Sequence, residues 1–184
     1  MDFAGIAEIS GDLLSLRASS QLSLPVALSS EVVLQTGLDL EEFLLALDNL
    51  SFETSHSWQH QTIPLAELPR ETFSAGGIRI DGTLDQFNLG GELDIEVPSL
   101  GNMGQASLQF QAQIIDQIMA LENLSLSHIA GDLSSSGELG WAEQLQWNIN
   151  LISPEIRLAE FFPDWPAVFS ANLQTTGALT ESGI

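Results

Sequence analysis

Between Leu145 and Leu151 the chain alternates without a fault. Leu145, Trp147, Ile149 and Leu151 take one parity, and Gln146, Asn148 and Asn150 take the other. Successive side chains of a strand point to opposite faces, so this order yields a strand with one apolar and one wet face. The surrounding stretch, Gly131 to Leu179, reads as one unit. Two Gly-x-Leu phrases open it (Gly131 with Leu133, Gly137 with Leu139). The alternating strand follows, then a linker with Pro163, Trp165 and Pro166, then a strand ending in Gly177 and Leu179.

The same grammar runs through the rest of the chain. Gly-x-Leu recurs at Gly11, Gly82 and Gly91, at irregular intervals that exclude a fixed-period solenoid and suggest serial strands with Gly at turns or bulges. Leu22, Leu24, Val26 and Leu28 share a parity, with Pro25 marking an edge or irregular strand. Leu93, Ile95 and Val97 alternate with Glu92, Asp94 and Glu96. Leu108, Phe110, Ala112 and Ile114 alternate with Gln109, Gln111 and Gln113. Leu124 and Leu126 continue the pattern, and the apolar parity then switches to Ile129 and Leu133, as a bulge or corner would make it do. The expected fold is mainly β: an elongated, curled sheet of about 13 strands, a rod about 60 Å long at ~4.8 Å per strand.

Two short helices are expected beside it. Leu40, Phe43, Leu44 and Leu47 lie at i, i+3, i+4 and i+7, and Asp39 with Glu42 has capping-box spacing. From Pro154 to Phe162, Ser153 is placed to cap and Pro154 suits a first helical position. The Pro- and Gly-marked run from Ile63 to Gly77 reads as a long loop within a single domain, 1–184.

Charge narrows the function. The chain of 184 residues has 25 acidic and four basic side chains, a net charge of −21. Phosphate backbones and anionic lipid surfaces both require cations, so nucleic acid is excluded as a partner and electrostatic docking on an anionic bilayer is disfavoured. Without Cys there is no disulfide framework and no thiolate chemistry. Without Lys there is no P-loop and no Schiff base, and no G-x-S-x-G elbow is present. No apolar run approaches the ~18 residues of a spanning helix, and the start lacks the basic and apolar regions of a signal peptide. Both ends read as cut from something longer, behind an added Met1.

No constellation calls for catalysis or a cofactor. His56 and His60, with Trp58 between, share a face of an extended strand, but lie roughly 13 Å apart at ~3.3 Å per residue, too far for one metal ion. The paired acids (Asp81 with Asp85, Asp94 with Glu92 and Glu96) fall on the polar parity or beside turns, where solvated carboxylates belong. Trp147 falls on the apolar parity, while Trp141 and Trp165 adjoin turns. Two sequons, at Asn49 and Asn123, are short enough to arise by chance.

The run Leu121 to Leu179 resembles the TamB family of the AsmA-like superfamily. Leu124-Ser-Leu126, Gly131-Asp-Leu133, Gly137-Glu-Leu139, Leu145-Gln-Trp147, Phe162-Pro-Asp-Trp-Pro166, Leu173 and Gly177-Ala-Leu179 carry the likeness. Ala167 stands where the family's linker has glycine. The resemblance implies a periplasmic protein held in the inner membrane by a helix outside this segment. It implies a taco-like sheet with an apolar groove for phospholipid acyl chains passing between the two membranes, and a role in outer-membrane protein assembly with a barrel partner, TamA. Leu93, Ile95, Val97, Leu108, Phe110, Ile114, Leu124, Leu126, Leu145, Trp147, Ile149 and Leu151 would line that groove. Two alternatives remain open: a scaffold that pairs strand edges with outer-membrane precursors, and an extracellular carbohydrate-binding β-solenoid or adhesin.

Overall fold

The computed structural model describes residues 4–12, 14–24, 28–39, 44–62 and 72–179. They form one sheet of 11 strands in strict chain order, every neighbouring pair antiparallel. The strands are β1 (Ala4–Gly11), β2 (Ser15–Leu24), β3 (Leu28–Asp39), β4 (Leu44–Thr62), β5 (Phe73–Thr83), β6 (Gln86–Glu96), β7 (Gln105–Ile115), β8 (Ile118–His128), β9 (Leu133–Gly140), β10 (Leu145–Arg157) and β11 (Val168–Leu179). The sheet curls but does not close, since β1 and β11 do not pair. Ten inter-strand steps give it a length of about 50 Å at ~4.8 Å each.

Why the chain adopts this order follows from the alternation. Each apolar parity must meet its neighbour's apolar parity, and a tight antiparallel turn achieves this with the least loop. Between β5 and β6 the turn is two residues, Leu84 and Asp85; between β7 and β8 it is Asp116 and Gln117, with Asp116 at φ 53°. The β8–β9 connection ends in an isolated bridge from Gly131 to Ile156, and it carries the parity change seen in the sequence between Leu126 and Leu133. A further bulge, at Glu122 and Asn123, shifts the parity within β8 itself.

Several expectations need correction. The helical spacing at Leu40 to Leu47 does not make a helix where the chain is described: Leu44 and Leu47 are in β4, and Asp39 pairs with Leu44. Residues 40–43 lie outside the described residues. Pro154 does not open a helix. It sits in β10 in a bulge between Ser153 and Ile156, one of the few places in a sheet that tolerates a residue without an N–H. Only a 3-10 turn, Leu158–Glu160, follows. The Ser153 hydroxyl caps nothing and donates instead to the Asp132 carbonyl at 2.6 Å. A second 3-10 segment, Pro98–Gly104, joins β6 to β7. Leu22 and Leu28 face each other across the β2–β3 pair rather than following one another on one strand. Phe73 to Gly77 is strand, not loop, while residues 63–71 lie outside the described residues.

Candidate functional site

Tracing the register across the sheet places residues in continuous cross-strand rows, because directly paired residues of antiparallel strands share a face. One row runs Leu22, Leu28, Trp58, Gly76, Leu93, Leu108, Leu126, Leu133. The next runs Ser20, Ser30, His56, Ile78, Gly91, Phe110, Leu124, Ser135, Leu151, Leu173. A third holds Val32, Thr54, Ile80, Leu89, Ala112, Leu121, Gly137 and Ile149, and a fourth Phe52, Phe87, Ile114, Met119, Leu139 and Trp147. Together they make one apolar face from β2 to β11.

Eleven of the twelve residues singled out from the sequence lie on this face. Leu93 and Ile95 are in β6, with Val97 just beyond its end. Leu108, Phe110 and Ile114 are in β7, Leu124 and Leu126 in β8, and Leu145, Trp147, Ile149 and Leu151 in β10. Gln109, Gln111 and Gln113 lie on the opposite face.

The apolar face is sheltered but not sealed. Along β6 and β7 exposure alternates, with the apolar parity the less exposed everywhere but around Gly90, which is as sheltered as Leu89 and Gly91. Yet the fully buried hydrophobic residues among those described are only Val97, Ala112, Ile114 and Ala130. Among the described residues no second layer covers the face: each strand packs extensively only against its neighbours in the sheet. A sheet normally hides its apolar face against another layer. Here the curl alone provides shelter.

Charge is segregated with equal strictness. In these four rows, and in the adjoining row of Ser74, Ile95, Ala106 and His128, there is no Asp, Glu or Arg; His56 and His128 are their titratable side chains. The opposite face carries Glu31, Glu53, Asp81, Glu92, Asp94, Glu96 and Glu138, with cross-strand ion pairs Arg17–Glu31 at 3.2 Å and Arg79–Glu53 at 2.8 Å. A ladder of amides and acids runs there too: Asn88 donates to Asp81 at 3.1 Å, and Gln113 to Asn88 at 3.3 Å.

Glycines set the contour of the sheltered face. Gly91 lies opposite Phe110, and a Cβ on it would come 2.8 Å from the ring. Gly177 lies opposite Trp147, where a Cβ would come 2.3 Å from the indole. Each aromatic side chain therefore lies down over its cross-strand glycine rather than standing up from the sheet. The Gly-x-Leu phrases at Gly91 and Gly177 are mid-strand accommodations of this kind, not the turns or bulges expected of them, and Gly137, also mid-strand, is required by its φ of 153° and the close approach of the Asn148 carbonyl. Their two-residue spacing keeps glycine and leucine on one face.

The histidines divide differently from expectation. His56 is on the sheltered face, where Nδ1 lies 2.8 Å from Ser30 Oγ. His60 leaves that face: it sits at φ 47° in the bulge between Trp58 and Gln61, and its ring stacks at 4.3 Å on Phe73, a residue of the opposite parity. Sequence reasoning missed His128 as a structural pin. Its Nδ1 accepts from the Ala130 N–H at 3.1 Å and its Nε2 lies 3.0 Å from the Met103 carbonyl, while Phe161 stacks on the ring. It ties together three connections at one rim of the sheet, and a lone histidine gives no sequence signal of that. Among the described residues no three His, Asp or Glu side chains come together as a metal site, and no helix is long and apolar enough to cross a membrane.

One known family has a model that matches nearly all of this architecture's sequence: TamB, N-terminal domain, over residues 4–184. No curated protein and no solved structure matches the chain.

Proposed function

Given that the chain belongs to the TamB family, we propose that its apolar face is a stretch of a lipid conduit, carrying phospholipid acyl chains between the inner and outer membranes in a periplasmic, membrane-anchored protein. The observation that carries the reading is the combination of an apolar face that runs from β2 to β11, uncovered by any other described residues, with the exclusion of every carboxylate and guanidinium from its cross-strand rows. Water-exposed acyl chains cost about 0.8 kcal/mol per CH₂. Two chains of ordinary length therefore cost on the order of 20 kcal/mol to expose. A continuous apolar track removes most of that barrier and leaves the headgroup at the open side of the curl. No bond is made or broken, so the reading needs neither catalytic residue nor cofactor. Outer-membrane protein assembly with the barrel partner TamA is part of the same proposal for the full-length protein.

The test is Ile149→Glu. Ile149 is central in β10 and half-buried, between Gly137 and Thr175. A carboxylate there keeps access to water, so the fold loses little. An acyl chain passing that point must desolvate the charge or detour into water, so transport suffers. Thermal unfolding and lipid co-purification are measured on the full-length protein. Depleted lipid at near-normal stability is expected; strong destabilisation without a separate loss of lipid would make Ile149 ordinary core and remove the main support for a conduit.

A further inference from the structure

The polar side chains of the sheltered face fall into two sets. In most of the sheet they are consumed by the protein itself. Ser135 Oγ donates to the Asn150 carbonyl at 3.0 Å, Trp147 Nε1–H donates to Thr175 Oγ1 at 3.3 Å, and Trp58 Nε1–H donates to Ser74 Oγ at 3.1 Å. His128 is engaged at both ring nitrogens. The second set is on β3 and β4. His56 uses one ring nitrogen on Ser30, and its Nε2 has no partner among the described residues. Thr54, the preceding inward residue of β4, has a hydroxyl sealed from solvent with no hydrogen-bond partner. A buried, unpaired hydroxyl in a sheet that otherwise satisfies its polar groups calls for a missing partner.

The placement is specific. Ser20, Ser30 and His56 form a polar line across three strands, perpendicular to them and therefore along the proposed path of a lipid. Apolar rows flank it: Leu22, Leu28 and Trp58 on one side, Ala18 and Val32 on the other, with Thr54 at the end of the second. The line stops at Ile78, after which the same row continues through Gly91, Phe110 and Leu124.

We propose that Ser30, Thr54 and His56 form a polar station that hydrogen-bonds the ester carbonyls of a glycerolipid whose acyl chains lie on the flanking apolar rows. This rests on the conduit reading and names the part of the lipid that one section of it recognises. Ser30 and His56 spend one donor on each other, so that pair offers one neutral donor outward, and the Thr54 hydroxyl, turned out by rotation about Cα–Cβ, offers a second; a carbonyl oxygen requires donors of this kind. A phosphate would want a charged donor. The guanidiniums of this region, Arg17 and Arg79, lie on the opposite face, paired with Glu31 and with Glu53. The headgroup phosphate therefore remains outside, and the ester zone just beneath it is the part that meets the station.

The experiment compares two lipids on the full-length protein. Vesicles contain phosphatidylcholine with either ester-linked or ether-linked chains of equal length, the ether form lacking the carbonyl acceptors. Retained lipid is quantified by mass spectrometry after gentle purification. The wild type is expected to retain the ester form about three- to tenfold more, the range that one or two hydrogen bonds supply. Thr54→Val with His56→Leu is expected to retain as much total lipid and to lose the preference. Equal retention of both lipids by the wild type, or an undiminished preference in the double variant, overturns the proposal. Retention of neither lipid by a wild type that is folded by circular dichroism overturns the conduit reading as well. If the double variant does not fold, near-isosteric Thr54→Val alone carries the test, with the preference moving toward one.

Discussion

β7 and β10 are written in the same alternation and live in different surroundings. In β7 the inward Ala112 and Ile114 are 2% and 8% exposed; in β10 the inward Leu145 is 37% exposed. β7 lies between β6 and β8, each of which is itself flanked on its far side. The outer neighbour of β10 is the edge strand β11, where Leu173 and Leu179 stand 57% and 60% exposed. In a sheet with no opposing layer, burial comes sideways, from strands within the curl. Position in the sheet therefore decides whether an apolar side chain is core or lining, and the hydrophobic pattern alone does not.

The sharpest way to break this comparison is to put the same charge in both strands. Ile114→Glu is expected to cost about 3–5 kcal/mol of unfolding free energy, because the carboxylate is trapped among Phe87 and Met119. Ile149→Glu should cost about 1–2 kcal/mol, because its site remains open to water. Equal losses in thermal or urea denaturation would show that the two strands are equally sealed.

Adjacent glycines test the two faces of one strand. A Cβ on Gly91 meets the Phe110 ring at 2.8 Å, whereas one on Gly90 finds nothing nearer than the Phe110 carbonyl at 3.6 Å. Gly91→Val should destabilise by about 1–3 kcal/mol through overpacking. Gly90→Ala should be neutral or add up to about 1 kcal/mol by restricting the unfolded chain. Urea midpoints of the two variants separate these outcomes, and a reversed order would mean that the faces have been assigned the wrong way round.

β10 does have one sealed residue, and it is polar: Ser153, 2% exposed, whose hydroxyl donates to the Asp132 carbonyl. Ser153→Ala leaves that carbonyl unpaired and should cost about 1–2 kcal/mol. A cost below that, read from the same denaturation curves, would place water at the bulge and extend the openness of β10 to its end. The smallest effect belongs to the outer face. Arg79→Ala removes ion pairs to Glu53 and Asp81 in which every partner is at least 42% exposed, and should change stability by no more than about 0.5 kcal/mol.

Much of this was legible in the sequence, and the failures share a cause. Alternation at Leu93 to Val97, Leu108 to Ile114 and Leu145 to Leu151 is local, and it gave strands, faces and their common apolar side correctly. Leu40, Phe43, Leu44 and Leu47 also have a valid local pattern, but Leu44 and Leu47 lie in β4, where Leu44 pairs with Asp39, and Leu40 and Phe43 lie outside the described residues. Pro154 was misread because a bulge and a helix start both accept a missing N–H. The expected number of strands, about 13, exceeds the 11 described because β3, β4, β10 and β11 are long, at 12, 19, 13 and 12 residues. The glycines that make room for Phe110 and Trp147, the pin at His128 and the unpaired hydroxyl of Thr54 depend on register between strands. A single alternating pattern does not encode its partner's register.

The pairing order itself has a consequence for how such a chain is made and how it changes. Among the described residues each strand packs extensively only against its predecessor and successor, so nearly every long-range contact is one hairpin deep. Contact order stays low, and the sheet can be completed strand by strand as the polypeptide arrives, without waiting for its far end. Stability becomes a sum of nearest-neighbour terms, as in a one-dimensional lattice. Duplication or loss of one hairpin would then lengthen or shorten the sheet by about 10 Å while every other pairing is kept, so length can evolve by steps that leave the rest of the fold intact.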